Sequence, residues 1–415
     1  MASDMFNAVV STPFPASHFP TPSFSSGGKL QWKPQSKRPM SAKTEKKDAV
    51  VSVIDKKNRD SMSIARTLQV APQHWKNPST FAIQALQSPW YTTMFGLQST
   101  LFHTSTDFFR HGLGYKYLVV PVTTSSISSP MGLGSDSQPV SVELGGLQTY
   151  LADSQQFVLE YALRLQDGLP GAYYVGTSCR GEDPDATHLN QFCHVECELL
   201  GGLEDGMRVA NQYVVAMTQV ILRDHGAEIE SYAGTTEHME SLLRLYEKHG
   251  NTFPTVTLEE ALAMPELTDD MWQYAVDGEP RWGRSLTRKG ERMLIEKFGG
   301  ACWLMEMDHL SVPFYQAYTD GTKSKGQCGD FLLGMGEVIG CGNRHTTAEQ
   351  ALEALQHHEV DPAEYKWYTD MRALKELNTT GWGIGTERFL AWVMQHDDIR
   401  DIQLLPRLKG VECAP

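Results

Sequence analysis

The sequence is short of positive charge: 36 Lys and Arg stand against 50 Asp and Glu, for a net charge of -14. Phosphate contacts dominate affinity for nucleic acid and require local basic surface, so this balance argues against a large polyanion footprint. Long apolar runs are also lacking. None approaches the ~20 residues that a membrane helix needs, which removes the membrane-spanning classes from the expectation. Cysteine is sparse and unpaired in pattern: seven residues, an odd number, with no CxxC. That usage reads as free thiols in a reducing compartment. Cys193 and Cys197 flank His194, which raises metal ligation as a reading. In a strand, however, Cys193, Val195, Cys197 and Leu199 point one way and Phe192, His194, Glu196 and Glu198 the other. The cysteines then belong to the core, and no zinc site is expected.

What is present divides the chain. Residues 1–48 are rich in Pro, Ser, Gly and Lys, with almost no hydrophobic periodicity, and read as a disordered tail. The first basic residue is Lys29 and no early basic amphipathic helix is visible, so the tail reads as cytoplasmic rather than as a mitochondrial signal. Residues 49–80 read as a partly helical lead-in, and residues 81–415 as one catalytic domain with a more polar insert at about 226–300. Within that domain, Gln87 to Phe109 has apolar and aromatic residues near helical spacing. Tyr115 to Pro121 follows as a strand ending in proline, and residues 206–225 give a further helix. Thr257 is placed to cap a short helix from Leu258 to Met264.

The densest chemical signal is Gly381-Trp382-Gly383-Ile384-Gly385-Thr386-Glu387-Arg388, followed by an apolar, helix-competent run from Phe389 to Met394. Alternating glycines leave one face of a strand bare, so that a flat ligand can lie on the backbone. Arg388 stands at the strand-to-helix junction, suited to a phosphate. A second segment runs Ser178-Cys179-Arg180-Gly181-Glu182-Asp183-Pro184, then His188 to Glu198. Gly334 to Gly340 with Arg344, and Tyr365 to Arg372, complete four ordered segments, and Ile399-Arg400-Asp401 and Pro406-Arg407 close the last one.

Together these segments resemble the class II aminoacyl-tRNA synthetases, and most closely the asparaginyl/aspartyl branch. The resemblance implies an α+β fold with a mainly antiparallel sheet flanked by helices, and a homodimer formed through the helix and strand around Trp90 to Pro121. It implies ATP and Mg2+. Arg180 would contact the α-phosphate and substrate carboxylate, and Arg388 the γ-phosphate; these two are the catalytic candidates. Phe192 would stack on adenine, Glu182 would read its amino group, and His188 would approach the terminal phosphates, with Gly383 and Gly385 beneath the nucleotide. Asp330 and Glu337 would hold magnesium. Gln156, Glu196, Glu198 and Arg372 would frame the amino acid.

The substrate half departs from the branch. Ser128 to Gly134 lacks the acidic residue expected after motif 1, Lys289-Gly290-Glu291-Arg292 stands for Glu-His-Glu-Arg, and Asn378-Thr379-Thr380 replaces Pro-His. Motif 1 begins near residue 87, so the branch's anticodon-binding barrel is not expected within the residues ahead of it. Three functions follow. The first is an ATP-dependent ligase that adenylates an Asp- or Asn-like acid, or a related carboxylic acid, and transfers it to ammonia or a small amine, with tRNA disfavoured. The second is an asparaginyl-tRNA synthetase without the barrel. The third is a non-catalytic synthetase-like binding protein, against which the retention of Arg180, Glu337 and Arg388 argues.

Overall fold

The computed structural model describes residues 21–24, 30–33, 69–128, 138–276, 278–319 and 321–414. Most of the expected tail, the lead-in up to residue 68, and most of the altered segment after motif 1 lie outside these residues. Within the tail, Thr21–Phe24 and Leu30–Lys33 pair as an antiparallel hairpin. Thr67–Pro415 is a separate compact unit.

That unit is organised by a sheet of eight strands: β1 (Lys116–Tyr117), β2 (Gly171–Cys179), β3 (Gln191–Leu200), β4 (Thr255–Thr257), β5 (Ala301–Met305), β6 (Cys328–Leu333), β7 (Gly336–Asn343) and β8 (Thr379–Gly385). Their order is β1-β2-β3-β8-β7-β6-β5-β4. The six central strands are antiparallel, while β1 and β4 join parallel at the two edges. The α+β class expected from the sequence holds.

The side-chain parity of β3 explains the layering. Val195, Cys197 and Leu199 lie in the principal core, facing α1 (Pro89–Thr106) and the long α3 (Leu203–Ala233). The opposite face carries Glu196 and Glu198, which are also buried, beside α2 (Gln156–Leu165). At β3, therefore, one face of the sheet is hydrocarbon and the other a buried polar layer in which each carboxylate needs a partner, whereas at β5 and β6 that second face is apolar again, with Cys302, Leu304, Cys328 and Leu332. Asp205 caps the start of α3 by accepting from the Gly202 amide at 3.1 Å, and Gly234 ends the helix at φ 76°, a conformation that favours glycine. Asn211 on α3 accepts from the Trp303 indole at 2.9 Å, tying the helix to β5.

Local signals were mostly sufficient here. The Thr257 hydroxyl accepts from the Glu260 amide at 3.2 Å, and the short helix runs Leu258–Leu262. The strand expected over Tyr115 to Pro121 is reduced to Lys116–Tyr117. It pairs only with β2, and by Val119 the chain has left the sheet with that side chain 85% exposed. The segment read as an insert supplies β4 and, through α5 (Arg288–Lys297), packs on β5, β6 and β7. Further helices are Pro78–Ala85, ahead of α1, and α4 (Glu237–Lys248), α6 (Ala348–His357), α7 (Lys366–Leu374) and α8 (Thr386–Val393).

Candidate active site

A cleft of about 730 Å3 opens over β8, β7 and the loop between β2 and β3. It gathers Arg180, Glu182, His188, Phe192, Asp330, Glu337, Gly383, Gly385 and Arg388 from segments far apart in the chain. All of the nucleotide and metal candidates named from the sequence therefore line one cavity.

Each is positioned for a local reason. Arg180 follows the end of β2, its amide donating to the Asn190 carbonyl at 2.8 Å, and its guanidinium lies 5.4 Å from the Phe192 ring centroid. The Arg180 Nε is buried without a partner. The loop is held by Asp185, which accepts from the His188 amide at 2.8 Å and lies 3.0 Å from the His188 ring. Glu182 accepts from the Gln138 amide at 3.2 Å. Arg388 lies in the first turn of α8 and donates to the Glu337 carbonyl at 2.8 Å and the Thr187 carbonyl at 3.2 Å. Burial, and then facing Arg288 and Arg180, pushes the Arg388 guanidinium below its usual range, although the Glu337 carboxylate opposes this.

The acidic wall is equally crowded. A side chain at Gly340 would lie 3.2 Å from Glu337 Oε1 and 3.8 Å from Asp330 Oδ1, so the two carboxylates share the space this glycine leaves. Burial, then repulsion from Glu337 and Glu291, holds Asp330 well above the usual carboxylate range. Among the described residues, no group of three or more His, Cys, Asp or Glu is arranged to hold a metal unaided. The crowding still fits a hard cation, which needs only one or two carboxylates when phosphate oxygens and water complete its shell.

The cleft also contains residues to which sequence reasoning gave no role: Asp185, Thr187, His194, Arg288 and Glu291. Arg288 and Glu291 lie in and beside the segment noted only for its altered residues.

The amino-acid candidates are placed differently. Gln156, Glu196, Glu198 and Arg372 do not line the cleft; they belong to the buried layer under β3 and β8. Arg344 donates to Glu198 at 3.1 Å and to Gln316 at 3.2 Å, and Gln156 donates to both Glu198 and the Cys197 carbonyl. Arg372 is fully buried, paired with Glu160 and Tyr368, with its Nε on the His345 carbonyl at 2.9 Å. Glu196 accepts from Tyr174 at 2.6 Å and from Ser154 at 2.8 Å. Burial alone would raise this carboxyl, but His194, Tyr174 and Ser154 outweigh it and hold it below its ordinary value. The bare strand face expected at the alternate glycines is thus partly filled. A Cβ at Gly381 would overlap Glu198, Gln156 and Arg344, and one at Gly383 would lie 3.0 Å from Glu196. Only Gly383 and Gly385 reach the cleft.

Comparison with known proteins gives this arrangement a family. The family model for tRNA synthetases class II (D, K and N) matches residues 80–409. The chain belongs to that family. Among synthetase relatives, the asparagine–tRNA ligase of Syntrophobacter fumaroxidans is 27% identical over 317 residues, covering 72% of this chain and 66% of that protein. The Pyrococcus horikoshii asparagine–tRNA ligase is 30% identical over 262 residues, covering 62% and 56%. This chain therefore spans between about half and two thirds of the length of such relatives. The crystal structure of asparaginyl-tRNA synthetase from Pyrococcus horikoshii complexed with asparaginyl-adenylate aligns with a TM-score of 0.69 at 24% identity, covering 81% of this chain and 74% of that one. The Entamoeba histolytica asparaginyl-tRNA synthetase in complex with asparaginyl-adenylate aligns at 0.66 and 20%, covering 81% and 72%. At these identities the two likenesses establish a shared synthetase fold. The branch expected from the motifs is the one these relatives represent.

Proposed function

We propose that the protein is an ATP-dependent ligase that activates an asparagine-like amino acid as its aminoacyl-adenylate. The carrying observation is the convergence of Arg180, Arg388, Phe192, Asp330 and Glu337 on one cleft. In the reaction, a carboxylate oxygen of the amino acid attacks the α-phosphorus of ATP. The bond from that phosphorus to the bridging oxygen breaks, and pyrophosphate leaves with the electron pair. Charge spreads over the phosphoryl oxygens, so fixed guanidinium groups stabilise the transition state without reorganising. Arg180, with an unpartnered buried Nε, takes the α-phosphate and the attacking carboxylate, and Arg388 takes the γ-phosphate. Phe192 supplies the ring for adenine, Glu182 accepts from its amino group, and His188 lies toward the terminal phosphates. Asp330 and Glu337 would hold magnesium, which neutralises phosphate charge.

The buried layer favours a neutral side chain on the substrate. Arg344 and Arg372 are already charge-paired with Glu198 and Glu160, so a second carboxylate would find no uncompensated cation among them, although the buried Nη1 of Arg372 keeps an N–H without a partner. A carboxamide, both donor and acceptor, suits such paired groups better. Gln156, Glu196, Glu198 and Arg372 then shape the amino-acid site as its supporting layer.

For the acceptor, the asparagine–tRNA ligase relatives favour tRNA over the ammonia or small amine preferred from charge alone. Transfer to a small amine is the second reading, supported by the net charge of -14 and by Asn378-Thr379-Thr380 in place of Pro-His. We also propose a homodimer contact through α1, β1 and the chain that follows β1, where Phe95 is 65% exposed and Phe102, Tyr117, Val119 and Val122 are exposed as well. Charging of total tRNA with labelled asparagine, run beside amide formation with ammonia and small amines, separates the two acceptors. Robust charging selects tRNA, whereas product only with an amine selects the second reading.

A further inference from the structure

Three arginines, not two, face the cleft. The third, Arg288, opens α5 from the segment between β4 and β5. Its Nη2 donates to the Thr187 hydroxyl at 3.2 Å, and Arg388 donates to the carbonyl of the same residue at 3.2 Å. The two guanidinium groups therefore converge on one point of the loop between β2 and β3. Their closeness is also electrostatic, since Arg288 and Arg180 both act to depress Arg388.

Arg288 is not used up by its own surroundings. Its Nη1 is buried and has no hydrogen-bond partner. The nearest carboxylate, Glu291, lies 3.8 Å away, beyond hydrogen-bond distance, and its Oε2 is also unpartnered. The protein keeps room for this side chain. Gly336 sits at φ 144°, and a Cβ there would overlap Glu291 and come within 2.8 Å of Arg288 Nη1. Like-charged guanidinium groups around one cavity repel each other, and a buried N–H without an acceptor is destabilising. A polyphosphate would relieve both, because each of its oxygens accepts charge-assisted bonds.

We propose that Arg288 is a third phosphate-binding arginine, one that grips the outermost phosphates of ATP and holds the pyrophosphate as it departs. The proposal rests on the adenylation reading. In that step Arg288 donates N–H bonds to oxygens that gain charge when the bridging bond breaks, and no proton is transferred to or from it. An arginine placed there contributes to ATP and pyrophosphate but nothing to AMP, which lacks those phosphates.

The test is calorimetric titration of parent, Arg288→Gln and Arg288→Lys protein with magnesium plus ATP, pyrophosphate or AMP. Arg288→Gln should weaken ATP and pyrophosphate by about tenfold to a hundredfold, the scale of one lost charge-assisted interaction. AMP should change by less than about twofold, and Arg288→Lys should recover part of the loss. If Arg288→Gln bound ATP and pyrophosphate like the parent, or lost AMP affinity equally, the assignment of Arg288 would fail while the adenylation reading stood. If the parent itself bound neither ATP nor pyrophosphate, both would fall.

Discussion

The Arg372–Glu160 pair offers a test of whether the layer beneath the cleft is architectural. Both side chains are fully buried, and they come from α7 and α2, 212 residues apart. Glu160 also accepts from Tyr368 at 2.9 Å, and the Arg372 guanidinium lies 3.6 Å from the Tyr368 ring centroid. Removing one member, as in Arg372→Met, leaves a buried carboxylate with only a tyrosine hydroxyl. Breaking such a pair costs ~3–5 kcal/mol, a large share of the ~5–15 kcal/mol by which domains are stable. For a domain of this size that is a fall in Tm of about 4–7 °C. The double variant Glu160→Gln/Arg372→Met should recover more than half of the loss, because the uncompensated charge is gone while Tyr368 keeps an acceptor. Urea unfolding followed by tryptophan fluorescence, with thermal melts in parallel, measures all four corners of the cycle. A loss below ~1 kcal/mol in Arg372→Met would refute the reasoning and return Arg372 to direct contact with substrate.

Three further outcomes are expected of the site, the buried histidines and the exposed face of α1. Arg388→Ala should weaken magnesium-dependent ATP binding about tenfold to a hundredfold by titration calorimetry, and unchanged affinity would remove Arg388 from the phosphate site. Burial, and then His309, His357 and His345, depresses His358 to about 2. Its neutral form is favoured by folding, so its stability contribution is complete above the unfolded value near 6.5 and is lost as pH falls below it. Between about pH 6 and 4 the parent should therefore lose stability faster than His358→Asn, by ~1.4 kcal/mol per pH unit, and equal slopes in denaturant titrations would contradict this. Phe95→Asp/Phe102→Asp places charge on one exposed face of α1, and should turn a dimer into a monomer in sedimentation at micromolar concentration.

How legible the protein was depends on whether the signal is local. The parity of β3, the Thr257 cap and the Gly383–Gly385–Arg388 junction were readable, because side-chain direction and capping are decided within a few residues. The nucleotide candidates fell into one cleft because their motifs fix backbone as well as chemistry. Arg372 was harder. Its charge suggests a ligand, but Glu160 lies on another helix, and a pair of that separation leaves no trace in spacing. Gly381 looked like a bare floor for the same reason, since Glu198, Gln156 and Arg344 fill it from three other elements. Arg288 was missed because nothing in Thr287-Arg288-Lys289 shows that Gly336, on β7, leaves space for it beside the cleft. The only cue was an altered segment within an otherwise retained family pattern.

The central claim is that this cleft makes an aminoacyl-adenylate, and the most direct measurement is amino-acid-dependent exchange of labelled pyrophosphate into ATP. Exchange with asparagine or a close carboxamide analogue, weaker with aspartate and abolished in Arg180→Ala, is the predicted result. No exchange with any amino acid in a broad panel, from protein that binds ATP and magnesium, would contradict the account and leave a nucleotide-binding member of the family without its chemistry.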